Sequence, residues 1–244
     1  MFSLIDADIL LWKAAMAAET EINWSGDIWT LYADLADAKR AFEAQVTRVE
    51  DTLKIKEHVF CLSDPHANFR KVVDPTYKSN RRGTRKPVGY VALCDWLKQN
   101  FKTFSKPTLE ADDCLGILAT MPTNVGKCVV VSDDKDLKTI KGKLYRPMAD
   151  ELLTITEADA ERNFLIQCLK GDPVDGIKGI PGVGDKKAEA ILGSRPSWGA
   201  VEQAYIKAGM TRDDAIQQAR LVRILRWEDW LDQKQEVRLW LPKI

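Results

Sequence analysis

Acidic residues at short spacing are the part of this sequence that could carry out chemistry. Two of them, Asp172 and Asp175, lie in the segment GDPVDGIKGIPGVGDKKA at 171–188, just ahead of a glycine-rich turn. Others recur upstream at Asp6, Asp64, Glu110, Asp112, Asp113, Asp134 and Asp136. Carboxylate oxygens favour hard divalent cations such as Mg²⁺ or Mn²⁺ over Zn²⁺. This pattern predicts metal-dependent cleavage of nucleic acid.

Each acidic segment also has a plain structural interpretation. In a helical EADD segment, Glu110 and Asp113 would share one face, and a divalent cation would relieve their mutual repulsion. The same acids could instead begin a solvated helix, where the helix dipole favours negative charge. The SDDKD segment at 132–136 could likewise cap a helix, although one side chain suffices for capping. We favour Asp134 and Asp136 as metal ligands.

The glycines at 179–184, in GIPGVG, are typical of a tight turn between two helices. A dinucleotide-binding fingerprint must follow a buried strand, whereas GDPVDGIK precedes this turn. Glycines permit positive φ angles and a close backbone approach, so the amides of Gly182 and Gly184 could face a phosphate. Lys186 and Lys187 would extend that contact.

Basic residues are concentrated at 70–86, where seven of them accompany a single acid, although the formal net charge of the chain is zero. Within this segment, YKSNRR combines an aromatic side chain with cations. That combination suits phosphate contact with some base stacking, and predicts nucleic-acid contacts by Tyr77, Lys78, Arg81 and Arg82. An ordinary solvated basic loop is the alternative.

The acids are predicted to follow strands of one sheet. Strands are predicted at 2–5, 58–64, 103–105 and 127–132, and helices just after the first strand and at 28–53, 87–100, 110–119 and 133–140. Beyond Pro147 the chain is predicted to be mainly helical, with Thr156 as an N-cap and a helix over 213–227. This alternation indicates an α/β fold with a mixed, mostly parallel central sheet, whose strand ends would gather the acids. We expect an α/β core at 1–155, with the basic segment at 70–100, and a helical region at 156–244.

Composition favours a soluble globular protein. Hydrophobic residues make up 45% of the 244 residues. No apolar run approaches the roughly 20 residues that span a bilayer, and the N-terminal segment lacks a basic lead, so we expect neither membrane insertion nor secretion. The five cysteines are far apart without metal-ligand spacing, which predicts reduced thiols in the cytoplasm.

Five segments together resemble the 5′→3′ exonuclease and flap endonuclease superfamily, and within it the replication exonucleases of short-tailed bacteriophages. The resemblance spans nearly the whole chain. It is carried, in the family's order, by IDADILLWKA, FCLSDPHANFRKVVDPTYKSNRR, LEADDCLGILA, VVVSDDKDLKTI and GDPVDGIKGIPGVGDKKA.

The resemblance implies a PIN-like core and two metal ions. The first ion would be surrounded by Asp6, Asp64, Glu110 and Asp112. The second ion or its waters would be served by Asp113, Asp134, Asp136, Asp172 and Asp175. Lys78 and Arg81 match phosphate-facing cations at the base of a helical arch. Asp8 stands where many relatives have a small residue, which leaves open whether it contacts metal.

The resemblance also implies a helix-two-turn-helix anchor for duplex DNA at the glycine turn. Carbonyls near Ile180 and Val183 would bind a monovalent cation such as K⁺. The implied activity, in phage-type DNA replication, uses two Mg²⁺ ions, for which Mn²⁺ can substitute. Its implied substrates are duplex DNA with 5′ ends, RNA in RNA·DNA hybrids and 5′ flaps.

Two alternatives remain open. A PIN-type ribonuclease would share the acidic core but lack the glycine hairpin, and would cleave single-stranded RNA. A non-catalytic duplex-binding module would keep its metals for structure and leave DNA intact.

Overall fold

A six-stranded sheet forms the centre of the molecule in the computed structural model, which describes residues 1–81 and 83–242. The strands are β1 (Phe2–Asp6), β2 (Glu19–Ser25), β3 (Ile28–Ala33), β4 (His58–Cys61), β5 (Thr103–Phe104), β6 (Cys128–Val131), β7 (Gly142–Arg146), β8 (Glu151–Ile155), β9 (Trp230–Leu231) and β10 (Glu236–Val237). The central sheet has the order β5-β4-β1-β6-β7-β8, and only the β7–β8 pair is antiparallel. The predicted mixed, mostly parallel sheet is confirmed.

Helices cover both faces of this sheet. They are α1 (Ala7–Ala18), α2 (Leu35–Leu53), α3 (Arg70–Val73), α4 (Tyr90–Asn100), α5 (Ala111–Thr120), α6 (Glu157–Lys170), α7 (Asp185–Leu192), α8 (Trp198–Lys207) and α9 (Arg212–Val222). Short 3₁₀ turns occupy Ser79–Arg81, Lys135–Thr139 and Trp227–Asp229. One apolar cluster packs α1, α2 and α4 against the sheet, a second packs α5 against its other face, and a third lies among α6 to α9. In the part of the chain that the structure describes, no helix is both long and apolar enough to cross a membrane.

The strand order places a topological switch point beside β1. The chain runs from β1 to β4 and β5 on one side, and then crosses to β6 and β7 on the other. Ligand sites of open parallel sheets lie where the strand order reverses, at the carboxyl ends of the strands. Here β1 ends at Asp6, and β6 is followed by Ser132 and Asp134.

The predicted helix at 28–53 is wrong over 28–34, because α2 begins only at Leu35. Ile28–Ala33 pairs with Glu19–Ser25 as an antiparallel hairpin, turning through Gly26 at a φ of 55°. The alternating aromatic and β-branched side chains of IWTLY favour a strand, and Asp34 then caps α2 by accepting from the amide of Ala36. The hairpin leaves Trp24 and Trp29 exposed.

The region after Pro147 also differs from expectation at its start, because β8 pairs antiparallel with β7 before any helix forms. The helix expected at 133–140 is a 3₁₀ turn, and the helix expected at 213–227 ends at Val222. Thr156 caps α6 as predicted, forming a capping box with Asp159. The division at residue 155 stays a prediction.

Candidate active site

Acidic side chains from four separate segments surround one cavity of about 390 Å³ at the carboxyl ends of β1, β4 and β6. The carboxylates that line it are Asp6, Asp8, Glu110, Asp112, Asp134, Asp136, Asp172 and Asp175. The cationic side chains that line it are Arg70, Lys78, Arg81 and Lys135. Eight carboxylates therefore face four cations, which leaves an excess of negative charge.

The switch point of the sheet positions the innermost acids. Asp6 ends β1 and is 3% exposed, and its Oδ1 accepts from the amide of Ile9 at the start of α1. Ser132, which follows β6, donates from Oγ to Asp6 Oδ2 at 2.9 Å and accepts from the amide of Asp134 at 3.1 Å. Asp134 in turn accepts from the amide of Asp136 at 2.8 Å. One hydrogen-bonded chain thus fixes three acids.

The start of α5 sends its neighbouring aspartates in opposite directions. Asp112 lines the cavity, whereas Asp113 is fully buried away from it. Asp113 accepts from Nη1 and Nη2 of Arg70 at 2.7 and 2.8 Å, and from the amides of Leu225 and Glu110. Arg70 is also saturated by the carbonyls of residues 221 and 223 at the end of α9, at 2.8 and 2.7 Å. The Arg70–Asp113 pair therefore joins α3, α5 and α9.

The loop after α6 supplies Asp172 and Asp175, and two glycines make its narrow shape possible. Gly171 and Gly179 have φ angles of 67° and 60°. The two ends of the loop pass so close that a Cβ on either glycine would lie within 2.7 Å of backbone atoms at the other end. Asp172 closes a turn by accepting from the amide of Val174 at 2.8 Å. The glycines thus allow both acids to reach the cavity from the same short loop.

Lys78 and Arg81 contact the carboxylates directly. Lys78 forms ion pairs with Glu110 and, at 3.5 Å, with Asp175, and Arg81 forms an ion pair with Asp175. The amide of Lys78 also donates to the carbonyl of Asp175 at 2.9 Å, which ties the basic segment to the acidic loop. Both cations therefore lie where they could exchange a carboxylate for a phosphate oxygen.

Burial and repulsion raise the pKa values of several of these acids. Burial, followed by the charge of Asp8, raises the pKa of Asp6 to about 7. Burial, followed by the charges of Asp134 and Asp172, raises the pKa of Asp136 to about 6. The pKa of Asp112 is raised well above its usual range by burial and by neighbouring acids. The ionised forms of these three carboxyl groups are therefore not fully stabilised by the cations around the cavity.

Glu110 behaves in the opposite way. Burial raises its pKa, but Arg70 and Lys78 more than offset this and lower it to about 2. Glu110 accepts from Arg70 Nη1 at 3.0 Å and from the phenol of Tyr77 at 2.8 Å. It is therefore held ionised beside the cavity.

Three predicted site residues are placed elsewhere or used differently. Asp64 is not among the residues lining the cavity, because its two oxygens accept from the amides of His66 and Thr108 at 2.9 and 2.7 Å. Asp113 is the buried partner of Arg70, as described above. Tyr77 is 4% exposed beneath Glu110, so its ring does not offer a free stacking surface. Arg82 lies outside the described residues.

The donor set fits hard divalent cations. The acidic side chains of the cavity offer only oxygen atoms as metal ligands, which suits Mg²⁺ or Mn²⁺. The raised pKa values of Asp6 and Asp112 indicate that a cation bound there would stabilise their ionised forms. Within residues 1–81 and 83–242, no three His, Cys, Asp or Glu side chains are grouped as they would be around an ion. The ion pairs to Lys78 and Arg81 hold Glu110 and Asp175 in their present positions.

The glycine turn lies between α6 and α7, as predicted. Gly182 has a φ of 73°, and Gly184 is the N-cap of α7, where Lys186 and Lys187 are exposed. Ile180 is buried, and its carbonyl accepts from the amide of Val183 at 3.1 Å. Amide groups at a helix N-terminus favour a phosphate. The assignment of a monovalent cation to the carbonyls of Ile180 and Val183 stays a prediction.

Sequence reasoning missed three residues of the site and left a fourth, Asp8, undecided. Asp8 lines the cavity and accepts from the amide of Ser63 at 3.2 Å, which was left open. Arg70 was counted only among the basic residues at 70–86 but is buried, and Lys135 pairs with Asp172 at 3.5 Å. Gln167 lines the cavity from α6. A polar residue inside the apolar run FLIQCL at 164–169 was the available signal for Gln167.

Comparisons with known proteins agree with this geometry. A family model described as the 5′-3′ exonuclease N-terminal resolvase-like domain matches residues 1–164. An exodeoxyribonuclease of Enterobacteria phage T3 and an exonuclease of Escherichia phage T7 are each 32% identical to this chain, covering 98% of it and 92% and 93% of their own lengths. A flap endonuclease of bacteriophage T5, solved in a complex with DNA and metal ions, has a TM-score of 0.68 at 15% identity and covers 91% of this chain and 88% of its own.

Proposed function

This chain belongs to the 5′–3′ exonuclease family and is a 5′→3′ exonuclease or flap endonuclease, and from this premise we propose that it hydrolyses phosphodiesters at 5′ ends of duplex DNA during phage-type replication. The proposed substrates include RNA in RNA·DNA hybrids and 5′ flaps. The proposed cofactor is a pair of Mg²⁺ ions, with Mn²⁺ as a substitute.

The observation that carries the proposal is the ring of eight carboxylates around one cavity beside Lys78 and Arg81. An excess of hard oxygen donors attracts divalent cations, and cations at the rim attract a phosphate. The known flap endonuclease of similar fold was solved with DNA and metal ions, which supports the same combination here.

The residues of this chain would act by holding and neutralising charge. Asp6, Asp112 and Asp134 would hold one part of the metal site and Asp136, Asp172 and Asp175 the other, with Asp8 and Glu110 alongside. When bound, such ions would lower the pKa of a water molecule and offset negative charge on the departing 3′ oxygen. Lys78 and Arg81 would release Glu110 and Asp175 and donate to the non-bridging oxygens of the scissile phosphate. No protein nucleophile is required.

The glycine turn would hold the duplex away from the cut. The amides of Gly182 and Gly184 and the exposed side chains of Lys186 and Lys187 are suited to one phosphate backbone. A K⁺ ion at the carbonyls of Ile180 and Val183 belongs to the same proposal. Such contacts are independent of sequence, so the chain would bind duplexes by their shape and charge.

Product length and polarity from end-labelled duplexes test this function. With Mg²⁺ we expect 5′-labelled duplex to yield mononucleotides or short oligonucleotides, 3′-labelled duplex to shorten progressively, and EDTA to stop both. Degradation that begins at the 3′ end would contradict the proposal. Cleavage of single-stranded RNA with no attack on duplex DNA would favour a PIN-type ribonuclease, and intact label in Mg²⁺ would favour a non-catalytic duplex-binding module.

A cytoplasmic location, in the host cytoplasm for a phage protein, is part of the proposal. It is supported by cysteines set in the apolar core, where Cys61, Cys114, Cys128 and Cys168 are buried as thiols. Thiols persist in a reducing compartment.

A further inference from the structure

Gln167 is an amide buried in an otherwise apolar stretch of α6. It is 9% exposed, and it lines the acidic cavity. Its Nε2 donates to Asp136 Oδ1 at 2.8 Å. Its Oε1 is buried and has no hydrogen-bond partner among the described atoms. The side chain thus uses its donor end on an acid of the site and leaves its acceptor end unpaired.

An unpaired buried acceptor is costly. Leaving such a group without a partner costs about 1–3 kcal/mol, and most buried polar side-chain atoms in proteins do have partners. The neighbouring positions on α6, from Phe164 to Leu169, are otherwise buried apolar residues. A leucine at position 167 would avoid the cost, so packing alone does not account for the amide.

The orientation of the amide follows from its partner. An ionised carboxylate can only accept hydrogen bonds, so Gln167 must present Nε2 rather than Oε1 to Asp136. The remaining oxygen then requires a donor, and no side chain of the described residues, the cavity cations included, donates to it. A water of the hydration shell of a divalent cation is such a donor, and Mg²⁺ usually keeps several waters when it binds to carboxylates.

The position of Gln167 in the chain links two parts of the site. It lies on the last turns of α6, which ends at Lys170 and is capped by Gly171, directly before the loop that carries Asp172 and Asp175. Its hydrogen bond reaches the 3₁₀ turn Lys135–Thr139, which follows Asp134. One side chain therefore fixes the Asp136 carboxylate relative to the loop that carries the other acids.

We propose that Gln167 is a positioning residue for the metal ion at Asp136, with Nε2 fixing the Asp136 carboxylate and Oε1 accepting a hydrogen bond from a water of that ion. The inference rests on the proposed function only in requiring a divalent ion in the cavity. Mutation of a group that orients a metal ligand typically lowers metal affinity or activity by about 10- to 100-fold.

The test compares Gln167→Met, which keeps the length of the side chain but removes both hydrogen-bonding groups, with a control on the same helix. Asn163 lies one turn earlier, is partly buried, and donates from Nδ2 to the carbonyl of Lys138 in the same 3₁₀ turn at 3.1 Å. It does not line the cavity. Asn163→Leu therefore removes a similar contact between helix and turn without touching the acids.

Binding of Mn²⁺ to the full chain without DNA is measured by calorimetry. We expect Gln167→Met to weaken binding of one Mn²⁺ by about 10- to 100-fold, and Asn163→Leu to leave the affinity unchanged. In cleavage assays, Gln167→Met should need more Mn²⁺ for half-maximal rate and regain its kcat at high Mn²⁺. Should Gln167→Met fail to fold by circular dichroism, Gln167→Asn, which retracts the amide, provides the same comparison.

Unchanged Mn²⁺ affinity in the folded Gln167 variant would overturn the assignment, and so would an equal loss in Asn163→Leu. These outcomes are separable from a failure of the proposed function. A wild-type protein that binds Mn²⁺ but leaves duplex DNA intact would contradict the nuclease proposal while the Gln167 comparison still stands.

Discussion

Neighbouring aspartates at the start of α5 should respond in opposite ways to the same substitution. Asp113 accepts four hydrogen bonds, two on each oxygen: from Arg70 Nη2 and the Leu225 amide on Oδ1, and from Arg70 Nη1 and the Glu110 amide on Oδ2. An asparagine keeps one accepting oxygen and turns its NH₂ group against two donors. It also leaves the buried charge of Arg70 without its bidentate partner.

The magnitude follows from that loss. Removing one partner of a buried, hydrogen-bonded ion pair costs about 3–5 kcal/mol. In a protein of this size, about 1 kcal/mol shifts Tm by about 2–4 °C, so Asp113→Asn should lower Tm by about 6–20 °C. Glu110 keeps part of the Arg70 charge compensated at 3.0 Å, which favours the lower half of this range.

Asp112→Asn should instead raise the stability of the metal-free protein. Burial and the charges of Asp134 and Asp6 raise the pKa of Asp112, so its charge is unfavourable in the folded state at neutral pH. Removing that charge relieves the repulsion, but it also removes a proposed metal ligand. Metal at 100 times its Kd should raise the free energy of unfolding of the wild type by about 2.7 kcal/mol, and that of Asp112→Asn by much less.

The assay is urea unfolding followed by circular dichroism, first in EDTA and then with Mn²⁺. Asp95→Asn, on the exposed face of α4, is the matched surface control. Its free energy of unfolding should stay within about 0.5 kcal/mol of the wild-type value. Equal effects of the two α5 substitutions in EDTA would refute the reasoning. So would an Asp113→Asn protein of normal stability that no longer binds Mn²⁺, because that result would make Asp113 a ligand.

Three further expectations concern catalysis, pH and DNA binding. Lys78→Ala should slow cleavage by about 10²-fold through loss of one transition-state donor, measured as kcat at saturating duplex, and an unchanged kcat would remove Lys78 from the mechanism. The folded protein binds protons more tightly than the unfolded chain at Asp6 and Asp136, whose pKa values are raised to about 7 and about 6, so the free energy of unfolding in EDTA should fall as pH rises from 5 to 7.5. Unfolding titrations that show the reverse trend across that range would contradict these shifts. Replacing Lys186 and Lys187 with alanine should weaken duplex binding and reduce the salt dependence of log Kd by about 2, with little change in kcat, as measured by fluorescence anisotropy at several salt concentrations.

Local sequence was sufficient for the elements that carry most of the acids. Apolar runs at 2–5 and 127–132 predicted the adjacent strands β1 and β6, because buried parallel strands have few polar residues. The acids that follow those runs then had to meet at one edge of the sheet. The glycine turn was also recognisable, since its conformation requires residues without a Cβ, as at Gly182.

Local sequence was not sufficient where a side chain is shared between distant elements. The pattern EADD does not specify that Asp112 faces the cavity while Asp113 meets Arg70, because that depends on where α9 packs, more than 100 residues later. Asp64 was predicted at the end of a strand, but the backbone amide of Thr108 engages its carboxylate.

The sequence by itself thus determined the donor chemistry, all oxygen and strongly acidic, and the strands and turn that present it. Tertiary structure alone decided which acids face the cavity, which cations hold them, and that Gln167 joins them from α6. The physical reason is that hydrophobic periodicity is a local property of the chain. The partner of a buried charge, by contrast, is chosen by the packing of whole helices and strands, which removes water from around it and makes every unpaired polar group costly.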